Sequence, residues 1–328
     1  MTFPRKNNIK RMLFYLSFSA SAFIATLLIK KHDVVFSSSP PIFHVFSAMI
    51  AAKIKGSRFV LDIRDIWPDT ALEFKAVKNK YLLKLGSFLE RRLYKNAKLI
   101  STISNGSKEV IEGRGGAGKT SVIYNGSDED MLNWGGDREK IRDELGWSGK
   151  FIVCYAGLLG LGQNLVDILP EIELIKDNNV KFVFIGDGPG RGELVKQVTD
   201  RKLGNVEFKD LMPRKEILSY IHSADIMMVI LRETDFFRSA VPSKVFDYMA
   251  AGRPVITNVD GELRKILSEN DAGLYFSLQD KDSFGIVINK LKNDPAMRSR
   301  MGAQGKELIR RKYLRSVQAS ELVKQIEL

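Results

Sequence analysis

Short runs rich in Val, Ile and Phe alternate with longer amphipathic stretches along most of the chain. This alternation predicts βαβ units, in which helices connect the strands of a parallel sheet. We expect strands at 33–36, 58–62, 98–102, 121–124, 151–155, 181–186, 205–208, 225–230, 254–257 and 273–276. We expect helices at 42–54, 79–94, 105–112, 163–177, 190–200, 214–222, 243–251, 262–269, 280–293 and 295–312.

The chain of 328 residues has the length of two ordinary α/β domains. Segment 126–149 is polar, charged and interrupted by glycine, which is typical of an inter-domain connection. We therefore expect a first domain at 1–148, a second at 149–312, and a helix at 313–328 that packs back on the first. A Rossmann domain normally begins with a strand and a glycine-rich turn, whereas this chain begins with a helical pattern. The first domain is thus expected to be incomplete.

The composition is that of a globular protein, with 44% apolar and 27% charged residues. Its formal net charge of +12 is uneven, because residues 1–60 contain nine Lys or Arg and one acid. These cations flank apolar segments, which favours an anionic membrane surface over nucleic acid; ordinary solvated lysines remain the alternative. The single cysteine, Cys154, excludes an internal disulfide and lies in an apolar run, so we expect a buried hydrophobic side chain.

Residues 12–29 carry no charge and lie between Arg11 and Lys30–Lys31. A membrane span, a secretory signal and an internal helix all remain open for this stretch. Its length is marginal for a span, and an α/β pattern follows directly. We favour an internal helix at 10–31 whose basic ends contact lipid headgroups.

One segment, GRGGAGKT at 113–120, matches the phosphate-binding loop of nucleoside triphosphatases. That loop needs a strand before it and a helix after it, so that the helix N-terminus faces the phosphates. Here a helical pattern precedes the glycines and a strand pattern follows them. We interpret 113–120 as a helix-to-strand loop, and keep a P-loop phosphotransferase as the weaker alternative.

Two glycine-rich turns follow predicted strands of the second domain, YAGLLGLGQNL at 155–165 and FVFIGDGPGRGELV at 182–195. Gly160 lies in the first turn, and Gly186 and Gly188 lie in the second. Backbone N–H groups at such turns, together with the dipole of the next helix, favour an anion. Open α/β sheets bind ligands at this edge, although each turn alone could be a plain connection.

A third segment, VPSKVFDYMAAGRPVITN, predicts a helix that starts at Pro242–Ser243. Ser243 can cap this helix. Lys244 falls in its first turn, where the helix dipole disfavours a cation unless a bound phosphate offsets both charges. Asp247 follows three residues later, on the same predicted side. A surface Lys/Asp pair is the alternative interpretation.

These motifs resemble glycosyltransferase family 4, whose members have the two-domain GT-B fold. The first half contains SSSPPIF, VLDIRDIWPD, STISNGS and VIYNGSDEDM in the order that this family uses. The second half contains GDGPGRGEL, PSKVFDYMAAGRPVI and GELRKIL. The similarity covers about residues 33–310. It is strongest for a bacterial branch that adds amino-deoxyhexoses, such as fucosamine, to lipid-linked surface polysaccharide.

The resemblance implies a role for each matching position. Asp247 stands where a family glutamate holds the ribose hydroxyls, and Lys244 with the Gly160 backbone would hold the diphosphate. Main-chain groups near Met212 would read the uracil edge. The implied donor-binding residues are Gly160, Gly186, Gly188, Met212, Ser239, Pro242, Ser243, Lys244 and Asp247.

Arg64, followed by Asp65, takes the place of a histidine that many family members present to the transferred sugar. The implied catalytic residues are therefore Arg64, Asp65 and Lys244. The sequence departs from the family pattern in two places. Ser239 stands where a glutamate often contacts the sugar, and the family's first strand with its glycine-rich loop has no counterpart. On this resemblance roughly 80 residues of the first domain are absent.

The resemblance implies retaining transfer of a sugar from a UDP-sugar to a lipid-diphosphate-linked acceptor, in the cytoplasm at the inner face of the plasma membrane. No cofactor, metal or nucleic acid is implied, and the D-x-D string at 128–130 is discounted as a metal site because it lies in the connection. A non-catalytic nucleotide-sugar-binding remnant is a second possibility, motivated by the missing start.

Overall fold

The computed structural model describes residues 8–74, 77 and 79–328. The chain divides into two compact units, one of Met1–Tyr124 with Ala319–Leu328 and one of Asn125–Gln318. Each unit is built around a parallel sheet, as the alternating pattern predicts. All ten predicted strands are confirmed, with ends that differ from the prediction by three residues at most.

The first unit contains a four-stranded sheet in the order β1-β2-β3-β4, and every neighbouring pair is parallel. Its strands are β1 (Val34–Ser39), β2 (Arg58–Ile63), β3 (Leu99–Thr102) and β4 (Thr120–Val122). Its helices before Tyr124 are α1 (Asn8–Leu28), α2 (Ile42–Lys55), α3 (Asp69–Glu73), α4 (Lys80–Asn96) and α5 (Asn105–Ile111). The buried side chains of β2 and β3 pack against α2 and α4.

Local sequence signals set the bounds of the two long helices on this sheet. Gly56 ends α2 in the left-handed conformation, where a side chain would be strained. Asn79 caps α4 by accepting hydrogen bonds from two backbone N–H groups of its first turn. Within α4, a Cβ on Gly86 would lie 1.7 Å from the Trp67 ring, so glycine there allows the indole to pack on the helix.

Helix α1 confirms the predicted internal helix and ends before Lys30–Lys31, so it is shorter at this end than the expected 10–31. It packs along α2, where the Ser47 hydroxyl lies 3.3 Å from the Ser19 carbonyl oxygen. Of the helices that the structure describes, none combines the length and hydropathy of a membrane span.

The segment 113–120 has the predicted helix–loop–strand order, which is the reverse of a phosphate-binding loop. A π-helical turn, Glu112–Gly116, continues α5, so the loop is shorter than predicted. The Arg114 guanidinium contacts Asp69 at 2.6 Å and Glu90 at 3.4 Å. The Lys119 ammonium donates to two backbone carbonyls at 3.0 and 3.1 Å. These cations thus serve contacts within the unit.

The second unit contains a six-stranded parallel sheet in the order β10-β9-β8-β5-β6-β7. The chain therefore runs outward from β5 in one direction and from β8 in the other, which is the Rossmann arrangement. The strands are β5 (Phe151–Ala156), β6 (Val180–Ile185), β7 (Val206–Lys209), β8 (Ile226–Val229), β9 (Val255–Thr257) and β10 (Gly273–Tyr275).

Eleven α-helices follow α5 in the described residues. They are α6 (Glu129–Leu132), α7 (Arg138–Glu144), α8 (Leu169–Leu174), α9 (Arg191–Asp200), α10 (Arg214–Ser223), α11 (Asp235–Arg238), α12 (Lys244–Ala250), α13 (Glu262–Glu269), α14 (Ser283–Asn293), α15 (Pro295–Leu308) and α16 (Arg315–Glu327). The helix predicted at 163–177 is a 3₁₀ turn, Leu165–Ile168, followed by the short α8. Pro170 in the first turn of α8 has no N–H to continue a single helix from 163.

Residues 125–148 are an integral part of the second unit, so the boundary between compact units lies at Tyr124–Asn125 and not at 148–149. The Arg142 guanidinium on α7 is buried, donates to the Ser223 carbonyl at 2.7 Å and pairs with Asp225 at 3.2 Å. These partners belong to the second unit, so they attach α7 to it. The predicted helix at 313–328 is divided between the two units. Only Ala319–Leu328 belong to the first unit.

Candidate functional site

Two glycine-rich turns pack backbone against backbone at the carboxyl ends of β5 and β6. A Cβ on Gly186 would lie 2.1 Å from the Gly157 carbonyl oxygen, and one on Gly188 would lie 2.5 Å from that of Leu159. Both glycines have φ angles, +133° and +157°, that L side chains rarely adopt. The predicted residues Gly186 and Gly188 therefore position the turn that follows β5, by their contacts with Gly157 and Leu159.

The turn after β5 is also fixed by main-chain hydrogen bonds. The Gly157 N–H donates to Ile185 at 2.9 Å, and the Gly190 N–H donates to Leu159 at 2.8 Å. Gly160, predicted to face the diphosphate, is buried, and a Cβ there would lie 2.6 Å from the Gln163 side chain. This turn lies beside β8, at the point where the strand order reverses and where Rossmann sheets bind ligands.

Lys244 reaches this turn from the first residue of α12. A Cβ on Gly157 would lie 2.9 Å from the Lys244 Nζ atom, so the missing side chain leaves room for the ammonium. Nζ donates a hydrogen bond to the Tyr155 hydroxyl and lies 3.8 Å from the centroid of that ring. The Tyr155 hydroxyl in turn donates to the Leu158 carbonyl at 2.7 Å. Lys244 is therefore tied to the turn through Tyr155.

The burial of Lys244 lowers its pKa to about 7 by removing water from the ammonium. No carboxylate of the described residues lies within ion-pair distance of its Nζ atom. A half-buried cation without a counter-ion is costly, and an anion bound beside it would favour its charged form.

Asp247 lies one turn further along α12 and faces different neighbours. Its Oδ1 accepts a hydrogen bond from the Ser127 hydroxyl at 2.5 Å, and its Oδ2 lies 3.8 Å from an Arg214 nitrogen. Burial raises the pKa of this carboxyl, opposed by the Ser127 hydrogen bond and by Arg214 and Arg315. Lys244 and Asp247 therefore have different partners, Tyr155 for the lysine and Ser127 with Arg214 for the carboxylate.

The acidic string at 128–130 forms ion pairs close to Asp247. The Arg214 guanidinium contacts Asp130 at 2.9 Å and Asp128 at 3.0 Å, and Arg315 also pairs with Asp128 at 2.5 Å. These pairs are half-exposed. Asp128 and Asp130 thus hold Arg214 beside the Asp247 carboxylate, a role that their sequence pattern does not reveal.

The segment before α12 carries three predicted donor-site residues. Ser239 is the C-cap of α11 and is half-buried, with its hydroxyl 3.3 Å from the Phe236 carbonyl oxygen. Pro242 is half-buried, and its carbonyl oxygen accepts from Val245 at 3.1 Å. Ser243 is exposed and does not cap α12 with its side chain, contrary to expectation. Its backbone is already helical, whereas a capping serine needs an extended backbone.

Met212 lies in the loop after β7 and is half-buried, one residue after the exposed Leu211. Pro213 is the N-cap of α10, and Arg214 is the first residue of that helix. The loop expected to read the nucleobase therefore leads directly to the arginine that contacts Asp247.

A separate polar cluster lies at the carboxyl end of β2 in the first unit. The buried Asp62 carboxylate accepts hydrogen bonds from Ser38, Ser101 and Arg64, each at 2.8 Å. Arg64 is exposed, and Asp62 orients its guanidinium. Asp65 as a whole residue is exposed. Nearby protein atoms nevertheless displace water from its carboxyl group, which raises the pKa of that group.

A family model described as "Glycosyl transferases group 1" matches residues 137–308, which is more than half of the chain. The chain belongs to this glycosyltransferase family. A second model, "Glycosyltransferase Family 4", matches residues 2–131. The chain is therefore an enzyme of the glycosyltransferase class, and its two parallel sheets are those of the GT-B fold.

Two curated relatives of this glycosyltransferase belong to bacteria. "Probable glycosyltransferase WbjE" of Pseudomonas aeruginosa is 23% identical over 291 residues, which are 83% of this chain and 70% of the relative. "Putative colanic acid biosynthesis glycosyl transferase WcaI" of Escherichia coli is 25% identical over 262 residues. That match covers 75% of this chain and 62% of WcaI, so the chain spans less than two thirds of its length.

Solved structures share the fold of this glycosyltransferase at low sequence identity. HepE of Anabaena in complex with UDP has a TM-score of 0.78 at 17% identity, over 95% of this chain and 82% of HepE. Sucrose-phosphate synthase of Thermosynechococcus elongatus has a TM-score of 0.78 at 16% identity, over 99% of this chain and 80% of that enzyme.

Several residues of the candidate site in the second unit, and of the polar cluster in the first unit, escape sequence reasoning. Tyr155 lies in an apolar strand, where any pattern indicates a core residue. Asp62 ends a hydrophobic strand, as aspartates commonly do in parallel sheets, and nothing in the sequence connects Arg214 or Ser127 with Asp247. Contacts between segments distant in the chain place all four residues, so the signal that could find them is spatial.

Proposed function

We propose that this glycosyltransferase uses a UDP-sugar and binds its diphosphate beside Lys244. The observation that carries the proposal is the Lys244 ammonium, which lies over Gly157 at the reversal point of the sheet without a paired carboxylate among the described residues. A buried diphosphate needs such a cation, and the cation gains an anionic partner in return. The UDP complex of HepE, which shares this fold, supports the choice of nucleotide.

Lys244 would also act in the chemical step. When the bond between the sugar and UDP breaks, negative charge grows on the leaving diphosphate. A fixed cation in a site shielded from water stabilises that charge more than it stabilises the bound donor, which accelerates the reaction. We propose that this fixed charge serves in place of a divalent cation. The engagement of Asp128 and Asp130 by Arg214 supports this choice, because the D-x-D carboxylates already have cationic partners.

Asp247 is proposed to hold the ribose. The Ser127 hydroxyl donates to one carboxylate oxygen, while Arg214 lies 3.8 Å from the other. A carboxylate accepts hydrogen bonds from both vicinal hydroxyls of a ribose, so Asp247 has the chemistry that this position needs. Main-chain groups near Met212 are proposed to read the uracil edge, because that loop leads directly into Arg214.

Arg64 and Asp65 are proposed to act on the transferred sugar, with retention of its anomeric configuration. The Asp62 carboxylate fixes the Arg64 Nε atom at 2.8 Å, which orients a planar group suited to oxygen ligands. The donor sugar is proposed to be an N-acetylated amino-deoxyhexose. This choice rests on the sequence motifs of the first half, which resemble the branch that uses such sugars.

A lipid-diphosphate-linked acceptor at the inner membrane surface is proposed on two grounds. One is the similarity to WcaI, which is described as a putative colanic acid biosynthesis glycosyl transferase. The other is the first unit, where exposed apolar residues form a stripe on α1, spaced three or four positions apart. The residues of this stripe are Leu13, Leu16, Ala20, Ile24 and Leu28.

A groove between α2 and α4 adds cationic chemistry to the same unit. It has a volume of about 820 Å³, and among the described residues it is lined by apolar and cationic side chains and by Ser57 and Asn96, with no acid. Its cations are Lys53, Arg58, Arg92 and Lys98. Apolar surface beside cations suits the boundary of an anionic bilayer.

Calorimetry with UDP tests the donor site. Wild type should bind UDP, and Lys244→Ala should bind it about tenfold or more weakly, as expected when a hydrogen bond to a charged group is lost. Lys265→Ala, which removes an exposed lysine of α13, is the matched control and should bind like wild type. A wild-type protein without affinity for UDP would end the proposal.

Transfer is tested separately, with radiolabelled UDP-N-acetyl sugars and a bacterial lipid extract that contains polyprenyl diphosphate sugars. Label should move to the lipid phase, and NMR of the product should show the anomeric configuration of the donor. If UDP binds but no donor in the panel yields labelled lipid, the chain is better described as a nucleotide-sugar-binding protein. An inverted product would contradict the retaining part of the proposal.

A further inference from the structure

Tyr155 occupies a position that neither the motifs nor the family models assign. It is the second-last residue of β5, is fully buried, and lies under the Lys244 side chain. Its ring packs against Phe184 of the neighbouring strand, with a centroid distance of 6.2 Å. A tyrosine fixed in this way cannot move its hydroxyl far. The hydroxyl is therefore a fixed point of the glycine-rich turn.

The Tyr155 hydroxyl donates one hydrogen bond and accepts another. A phenol has one proton to donate, and Tyr155 gives it to the Leu158 carbonyl at 2.7 Å. Towards Lys244 the same oxygen can only accept, so the Lys244 ammonium is the donor. A hydrogen bond accepted from an ammonium stabilises the charged form of the amine. Tyr155 thus opposes the effect of burial on Lys244.

We propose that Tyr155 is a positioning residue, whose hydroxyl holds the Lys244 ammonium over Gly157 and favours its protonated form before the diphosphate binds. The proposal rests on the proposed function for its purpose, but the contact itself does not. The Lys244 side chain is then oriented in advance, so the donor does not have to organise a mobile lysine side chain. The ligand class is a nucleoside diphosphate, which meets a fixed cation at the end of β5.

The other charged or titratable groups around α12 contact partners other than Lys244. Asp247 on the same helix faces Ser127 and Arg214, and the Coulombic effect of Arg315 falls on that carboxylate. Tyr248, one turn after Lys244, donates to the Ala156 carbonyl at 2.7 Å and accepts from the Ala156 N–H at 2.9 Å. Tyr155 is therefore the titratable neighbour that contacts the Lys244 ammonium.

Tyr248 provides a matched control. Tyr155→Phe and Tyr248→Phe each delete one buried hydroxyl that both donates and accepts a hydrogen bond. Only the first of these hydroxyls contacts Lys244. A purely structural effect should appear in both variants, whereas an effect on the lysine should appear in Tyr155→Phe alone.

The experiment measures the pKa of Lys244 directly, by NMR of protein labelled with ¹³C at lysine Cε. The Lys244 signal is assigned by its loss in Lys244→Ala. We expect the pKa of Lys244 to be lower in Tyr155→Phe than in wild type, and unchanged in Tyr248→Phe. Equal pKa values in all three proteins would overturn the proposal. This measurement needs no UDP, so it succeeds or fails independently of the proposed function.

Calorimetry then links the contact to ligand binding. At pH 7, Tyr155→Phe should bind UDP about tenfold more weakly than wild type, since fewer molecules carry a protonated, oriented lysine. Tyr248→Phe should lose thermal stability but retain its affinity for UDP. Tighter binding by Tyr155→Phe would show that the hydroxyl sequesters the lysine, and would contradict the positioning role. If the wild-type protein does not bind UDP, the proposed function is wrong. The comparison of Lys244 pKa values would then decide the role of Tyr155 by itself.

Discussion

The Gly186 α-carbon lies so close to Gly157 that a Cβ there would be 2.1 Å from the Gly157 carbonyl oxygen. Two glycines at the ends of neighbouring strands thus allow one turn to support the other. The supported turn carries Gly157, over which the Lys244 ammonium lies. Packing of main chain on main chain therefore fixes the floor of the candidate donor site.

Gly186→Ala should destabilise the second unit by about 2–4 kcal/mol, because the new methyl group meets a backbone carbonyl and the φ angle of +133° disfavours a side chain. Urea unfolding followed by tryptophan fluorescence measures the loss. Gly192→Ala is the control, since its Cβ would meet no atom within 4 Å and it lies inside α9. That change should leave stability unchanged or raise it by up to about 1 kcal/mol. Equal effects of the two substitutions would refute the contact.

Lys244→Ala should lower the turnover number of sugar transfer on the order of a hundredfold, because it removes the fixed cation from the leaving diphosphate. Steady-state kinetics with saturating acceptor measure this change, with Lys265→Ala as control. An unaltered rate would remove Lys244 from the mechanism.

The affinity for UDP should depend on pH through the same lysine. Its pKa of about 7 means that the ammonium is charged at lower pH and neutral at higher pH. The affinity ratio of wild type to Lys244→Ala should therefore be large at pH 6 and fall as the pH rises through 7. Taking the ratio cancels the ionisation of UDP itself. A ratio that stays constant between pH 6 and 9 would show that Lys244 does not titrate in this range.

Asp247→Asn should weaken UDP binding, because an amide accepts hydrogen bonds from ribose hydroxyls less well than a carboxylate does. The same change should stabilise the unliganded protein at pH 7. Burial raises the folded-state pKa of Asp247, so the ionised carboxylate costs stability above its unfolded pKa, and acidification through the folded pKa relieves that cost. Thermal unfolding at pH 7 measures this effect. A lower melting temperature for Asp247→Asn would show that Ser127 and Arg214 outweigh the desolvation.

The apolar stripe of α1 should bind anionic membranes. Ile24→Asp places a charge in the middle of the stripe, where Ile24 is 55% exposed, and should reduce co-sedimentation with phosphatidylglycerol vesicles at least about tenfold. Leu174→Asp is the control, because Leu174 is similarly exposed but belongs to the second unit. The membrane proposal would be contradicted if the wild-type protein did not bind anionic vesicles, or if it bound neutral phosphatidylcholine vesicles equally well.

Lys119→Ala should have no effect on nucleotide binding, although Lys119 occupies the lysine position of a phosphate-binding loop. Its ammonium donates to the carbonyls of Lys95 and Ala97, so its loss should cost about 1 kcal/mol of stability. Calorimetry with ATP and thermal unfolding test both parts. ATP binding that disappears in this variant would revive the P-loop interpretation.

The sequence determined the strands, the βαβ pattern and the positions of Lys244 and Asp247 on one helix. These features depend on local periodicity, on glycine at turns and on proline at helix starts, all of which act over a few residues. The reversed order of helix and strand around 113–120 argued against a phosphate-binding loop for the same local reason. Hydrophobic burial requires such patterns wherever a parallel sheet forms.

Only the tertiary structure decided which partners each side chain meets. In the structure, Tyr155 accepts a hydrogen bond from Lys244, and Ser127 and Arg214 lie next to Asp247. Residues 125–148 belong to the second unit. Each of these contacts joins segments far apart in the chain. These contacts form because strands and helices pack closely in three dimensions. The local sequence pattern does not show which distant residues this packing brings together.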